Sequence, residues 1–185
     1  MFAYNIFIYN NMFAHLHVHS QFSILESSAR IPDLLQTCTV LGMKSLALTD
    51  KYVMSGAVEF YRQAKSAGIK PVIGCELCLL LSGSYFGAEM PSHIVLLAKN
   101  KKGYANLCRL VSISHTVNRT KDTNFIPCIG INEIKNHCEG LICLSGCHHG
   151  GLPLLLTKKD TQGAEKLSRM MLELFGSDFY IEIQR

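Results

Sequence analysis

Strand-type and helix-type segments alternate along this 185-residue chain, and that alternation narrows its fold more than any other feature. Lys70 to Leu81 is a near-continuous apolar run, as expected of a strand buried on both faces. Before it, Phe13 to His19 and Lys44 to Thr49 read as strands. Ile31 to Leu41, with Pro32 in its first turn and Gly42 just past its end, reads as a helix with Leu34, Leu35, Cys38 and Leu41 on one face. Ser55 to Ala67, closed by Gly68, is a second helix, with Val58, Phe60 and Tyr61 supplying its buried side. A turn at Gly83 to Gly87 leads into a strand at His93 to Ala98, and a polar turn at Asn100 to Gly103 opens a helix through about His115. Thr116 to Thr123 is polar and unpatterned, a candidate mobile loop. A short helix at Ile131 to Asn136, a strand at Leu141 to Leu144, an amphipathic helix at Gln162 to Phe175 and a strand at Phe179 to Ile183 follow. This order argues for an α/β domain with a mostly parallel sheet or barrel.

The composition supports one domain, since a chain that is 48% hydrophobic and 17% charged is too apolar to be disordered. The net charge of +4 is compatible with a phosphate-bearing partner but lacks the density of a dedicated nucleic-acid binder. Eight cysteines without a cleavable signal read as reduced thiols in a cytoplasmic protein rather than a disulfide framework. The apolar run Met1 to Met12 lacks a positive flank, a cleavage site and the ~20 residues a span needs, so no membrane anchor is expected. Because Met12 directly precedes Phe13-Ala14-His15, residues 1–12 read as an upstream extension and residues 13–185 as the domain.

His15-Leu16-His17-Val18-His19 would place three imidazoles on one face of a strand, since side chains alternate between faces. Imidazole, carboxylate and thiolate suit zinc or manganese, and such groups recur at the ends of the expected strands: His19, Asp50, Glu76 and Cys147. In parallel α/β folds those ends build the site. Asp50 could equally cap its turn. Cys75 and Cys78 sit three apart on a strand, face opposite sides and read as core thiols, whereas His148 and His149 read as exposed. Lys99, Lys101, Lys102 and Arg109 could approach a DNA backbone or simply form a solvated helix face.

Several segments together resemble one family. These are His15-Leu16-His17-Val18-His19-Ser20, Phe22-Ser23-Ile24-Leu25-Glu26, Ala47-Leu48-Thr49-Asp50, Gly56-Ala57-Val58-Glu59-Phe60-Tyr61, Gly68-Ile69-Lys70-Pro71-Val72-Ile73-Gly74-Cys75-Glu76, His93 to Asn100, Gly103 to Leu107 and Leu144-Ser145-Gly146-Cys147. The chain resembles the amino-terminal PHP (polymerase and histidinol phosphatase) domain of bacterial DNA polymerase III alpha subunits from about Phe13 to Arg185. The resemblance implies a distorted seven-unit β/α barrel, here incomplete with roughly five units, holding up to three divalent metal ions. It also implies phosphoester hydrolysis, in replicases as a 3′-5′ exonuclease on DNA, with other polymerase III subunits as partners. Carried over by position, the metal ligands are His17, His19, Glu76, His93 and Cys147, with Glu26 where the family has Asp. Glu76 and Asp50 are the candidate catalytic carboxylates, and His15 is a packing or ligand-orienting residue rather than a ligand.

Two departures bear on activity. Glu26 is one carbon longer than the family's Asp, and Lys51 stands where the family has a histidine, placing an ammonium where a neutral ligand should be. Fewer metals than the family's three, or none, are therefore expected. The resemblance also implies further barrel units with an Asp-x-His pair after Arg185. A catalytically degenerate structural module and a stand-alone small-molecule phosphatase are the alternative readings.

Overall fold

A computed structural model describes residues 13–83, 87–116 and 126–184. Its elements in chain order are α1 (Ile31–Val40), β1 (Ser45–Leu48), α2 (Ala57–Ser66), β2 (Lys70–Gly83), β3 (Gly87–Ala98), α3 (Lys101–Thr116), β4 (Cys128–Ile129), α4 (Ile131–His137), β5 (Leu141–Leu144), α5 (Gly151–Thr157), α6 (Thr161–Phe175), a 3-10 turn (Gly176–Asp178) and β6 (Phe179–Tyr180). The strands form one sheet in the order β1-β2-β3-β5-β6, with β4 beside the distal half of β2, and the sheet curls into an α/β half-barrel.

The expected α/β class stands, but the sheet is mixed rather than mostly parallel. β1/β2, β2/β4 and β5/β6 pair in parallel, while β2/β3 and β3/β5 are antiparallel. Residues 84–86 between the two longest strands explain this. A parallel pair needs a crossover of a dozen or more residues, and so short a link permits only a hairpin. β4 and α5 were not expected from the sequence: the first is two residues long, and the second carries Gly151 and Pro153 within a seven-residue helix.

Phe13 to His19 is not a strand. The segment runs along the free edge of β1, where Ala47 N donates to His15 O at 2.9 Å and Thr49 N donates to Val18 O at 2.8 Å. The donors are two residues apart and the acceptors three, so one extra residue is accommodated on the histidine side, with a bend at His17. That slip breaks the alternation, and the three histidines do not share a face. His15 is exposed with its ring against Phe13, whereas His17 and His19 point into the site.

Three apolar clusters hold the sheet. Odd-numbered residues of β2 (Cys75, Leu77, Leu79, Leu81) pack against α3, α5 and α6 through Leu107, Leu110, Leu155, Leu167 and Met171. Leu46 and Leu48 of β1 pack against Ile31, Leu35 and Cys38 of α1 and Phe60 and Ala64 of α2. On α1 and α2 the expected buried faces need correction: Leu41 is 62% exposed, Val58 56% and Tyr61 50%, so α2 is anchored by Ala57, Phe60 and Ala64 instead. The other sheet face carries Ala47, Val95, Leu97 and Leu144, with Val72 and Ile142 packed against them. Gly74 belongs to this layer, because a Cβ there would lie 2.6 Å from Leu97 and 2.7 Å from the Leu96 carbonyl. The expected loop beyond Thr116 and the extension at residues 1–12 lie outside the described residues.

Candidate metal centre

Side-chain alternation puts Glu76 on the face opposite Leu77, above the small cluster around Val95. On β3, His93 lies two residues before Val95, the register partner of Glu76, and so projects from the same face. The histidine segment at the β1 edge brings His17 and His19 over the same point. His19 Nε2 lies 2.6 Å and His17 Nε2 3.2 Å from Glu76 Oε2, and His93 Nδ1 lies 2.5 Å from Glu76 Oε1. Three imidazoles therefore converge on one carboxylate that is 3% exposed.

Not all of these contacts are hydrogen bonds. His19 Nε2 and His93 Nδ1 are buried and close to Glu76, yet neither is aligned to exchange an N–H···O bond with it. Ring nitrogens crowded about a carboxylate without hydrogen-bond geometry are the donor arrangement a cation satisfies. The ligand atoms of His17, His19 and Glu76 lie within 4.8 Å of one another, and as imidazole and carboxylate they suit a borderline divalent metal. The residues present therefore fit a metal ion.

The electrostatics agree. Burial alone would raise the Glu76 carboxyl, but the imidazoles of His17, His19 and His93 outweigh it and hold Glu76 well below the usual carboxylate range. Burial likewise opposes a charged His17, yet the carboxylates of Glu182 and Glu76 raise its pKa to about 10. Glu182 was not anticipated as a site residue. It accepts from His17 Nδ1 at 2.7 Å and is itself positioned by Glu182 N donating to Ser145 Oγ at 2.9 Å. A carboxylate on the far nitrogen of a ligating imidazole fixes its tautomer and orientation. The sequence signal for Glu182 is faint: one carboxylate between Ile181 and Ile183 in a segment that reads as a strand through Ile183, although β6 ends at Tyr180.

Other expected residues fall around this point or away from it. Cys147, Glu26 and Lys51 line the same hollow of about 440 Å³, as do the exposed His148 and His149. Gly146, at φ +75, carries the Cys147 loop across β3. A Cβ on Gly146 would lie 2.5 Å from the His93 carbonyl. Asp50 does not face the hollow. Its buried carboxylate accepts from Ser20 N at 2.6 Å, Ser20 Oγ at 2.8 Å and Ser23 Oγ at 2.7 Å, tying the loop after His19 to the end of β1. Tyr52, also unanticipated, places its hydroxyl 3.0 Å from His93 Nε2, and burial raises the phenol so that it stays protonated and can donate. Lys51 Nζ lies 2.7 Å from Glu26 Oε1, and this ammonium lowers the Glu26 carboxyl. A larger apolar groove of about 680 Å³ between α2 and the start of α3 brings no comparable set of titratable groups together, so chemistry rather than volume locates the site.

A curled mixed sheet with a histidine–carboxylate cluster on one face defines an α/β fold with a candidate metal site. The chain belongs to the PHP family, whose domain model matches residues 15–185. It is 37% identical over 182 residues to the DNA polymerase III alpha subunit of Borreliella burgdorferi, covering 96% of this chain and 16% of that protein. It is 38% identical over 178 residues to the alpha subunit of Treponema pallidum, covering 93% of this chain and 15% of that one. The chain thus spans about one-sixth of the length of these relatives. A candidate metal-dependent phosphoesterase from Bifidobacterium adolescentis shares the fold, with a TM-score of 0.50 at 12% identity over 91% of this chain and 85% of that one. Among the described residues no helix is long and apolar enough to cross a membrane.

Proposed function

We propose that this chain is the PHP portion of a bacterial DNA polymerase III alpha subunit and that it carries a metal-dependent phosphoesterase centre acting on DNA 3′ ends. The observation that carries the reading is the convergence of His17, His19 and His93 on the buried carboxylate of Glu76. On this reading His17, His19 and Glu76 hold a divalent ion such as zinc or manganese, with His93 and Cys147 completing its surroundings. The ion, when bound, supplies Lewis-acid polarisation of a phosphoryl oxygen.

The chain's own residues do the rest. Glu182 keeps the His17 ring in register by accepting the Nδ1–H hydrogen bond, so that Nε2 would present its lone pair to the ion. Tyr52 holds the far side of His93. Asp50 serves by fixing the loop that carries Ser20 and Ser23, rather than by touching substrate. The partners on this reading are DNA and the other subunits of the replicase, in the cytoplasm, with residues 1–12 an extension ahead of the domain. The test is incubation of the chain with a 5′-labelled single-stranded oligonucleotide and manganese or zinc. Metal-dependent shortening that Glu76→Gln abolishes is the expected result, and no shortening with any divalent metal contradicts it. Turnover of an aryl phosphate in place of DNA would point to a small-molecule phosphatase instead. The structural-module alternative draws on Lys51, whose ammonium lines the hollow in a pair with Glu26.

A further inference from the structure

Glu26 and Lys51 are charged residues of the hollow that the histidine–Glu76 cluster does not use, and they pair with each other at 2.7 Å. Lys51 and Glu76 form a parallel bridge: Tyr52 N donates to Glu76 O at 2.8 Å and Glu76 N to Asp50 O at 3.2 Å. Residues opposed in this way project from the same face of neighbouring chains about 4.8 Å apart. The lysine side chain is 17% exposed and its glutamate partner 49%, so the ammonium reaches inward and the carboxylate tethers it from outside. Lys51 Nζ also stands 5.5 Å from the centre of the Tyr52 ring.

The backbone is shaped to deliver this group. Leu25, before Glu26, has φ +67, and Tyr52, after Lys51, has φ +65, a region non-glycine residues rarely adopt. The Lys51–Tyr52 segment is held by bonds from outside the pair. Ser23 and Ser20 are fixed on Asp50, Lys51 N donates to Ser23 Oγ at 3.0 Å, and His115 Nε2 donates to the Tyr52 carbonyl at 2.8 Å. An ammonium has three donors, and Glu26 engages one of them.

We infer that Lys51, tethered by Glu26, is the second cation of this site: a phosphoryl group binds between the Lys51 ammonium and one divalent ion held by His17, His19 and Glu76. Two-metal phosphoesterase sites bracket a phosphoryl group between two cations, and a lysine can take one of those places as a point charge. The inference rests on the metal site of the proposed function and names its substrate-binding residue. It also sets the number of metal ions at one per chain.

The test is titration of inorganic phosphate into the manganese-loaded 185-residue chain by calorimetry, with the bound metal counted in each variant. Lys51→Met is expected to weaken phosphate binding about tenfold or more with one ion still bound, and Lys51→Arg to bind within about threefold of the original. Lys51→Gln, closer in polarity to lysine, serves in place of Lys51→Met if the latter loses its folded circular dichroism spectrum. Unchanged phosphate affinity on neutralising Lys51, or two ions bound with the lysine intact, overturns the inference. Lys51-dependent phosphate binding by a chain that hydrolyses no phosphoester supports it while removing the proposed activity, so the two failures are distinguishable.

Discussion

At the scale of single residues, His17 couples two carboxylates, since its ring joins Glu182 on one side and Glu76 on the other. Without metal both ring nitrogens face carboxylate oxygens, and the imidazolium is the favoured form, with its pKa raised to about 10. A group whose folded-state pKa is raised contributes stability that is complete below its unfolded value near 6.5 and is lost as pH rises through the folded value. Glu76 has the opposite sign: its pKa is lowered, so its contribution is present above about 4.5 and is lost in acid. The metal-free chain is therefore predicted to be most stable between roughly pH 5 and 6.5 and to lose melting temperature steadily from pH 7 to 10, as thermal unfolding monitored by circular dichroism would record. Glu182→Gln should flatten the alkaline part of that decline. An unchanged slope would assign the decline to other groups, such as the buried thiols of Cys75 and Cys143, which burial also raises. With metal present the same substitution should cost about 10- to 100-fold in metal affinity, read by competition with a chromophoric chelator. His19 and Glu76 are nameable from sequence because metal-type side chains at strand ends are conspicuous, with His17 one pleat earlier, whereas His93 is reached only through the family resemblance. Glu182 and Tyr52 are not nameable, because an orienting partner is recognisable only once the chain brings it within reach of a ligand.

At the scale of elements, the site depends on how segments end rather than on how they begin. β1 stops at Leu48, and the next two residues, Thr49 and Asp50, turn their side chains back onto the histidine segment. Val18 N donates to Thr49 Oγ1 at 2.7 Å, and Asp50 gathers Ser20 and Ser23. Asp50→Ala leaves these buried donors without an acceptor, for an expected loss of about 3 kcal/mol in unfolding free energy, measured by urea titration. A loss below about 1 kcal/mol would show that the loop is held by other means. Long elements were legible, among them α3, α6 and the apolar run of β2, because their periodicity or length outweighs local ambiguity. The histidine segment misled because its alternation of apolar and polar residues is that of a strand. The extra residue accommodated between His15 and Val18 is a pairing feature, set by β1 rather than by the segment's own sequence.

At the scale of the whole molecule, one sheet has two uses. The face toward α3, α5 and α6 is a conventional apolar core, and the other carries a thin apolar layer crowned by the Glu76 cluster. The α/β class followed from the order of segments, whereas the mixed sheet followed from the length of the β2–β3 link, which the alternation of strand and helix signals does not weigh. The same division explains why a departure such as Lys51 leaves the fold intact: it lies on the site face, paired with Glu26, and touches neither large core. The central claim is that the cluster on this face is a metal centre, and counting metal tests it most directly. The purified chain, equilibrated with zinc or manganese and desalted, is predicted to retain one ion per chain by inductively coupled plasma mass spectrometry, and Glu76→Gln and His19→Ala to lose it. Retention well below one ion per chain, or an ion kept by both variants, would contradict the account.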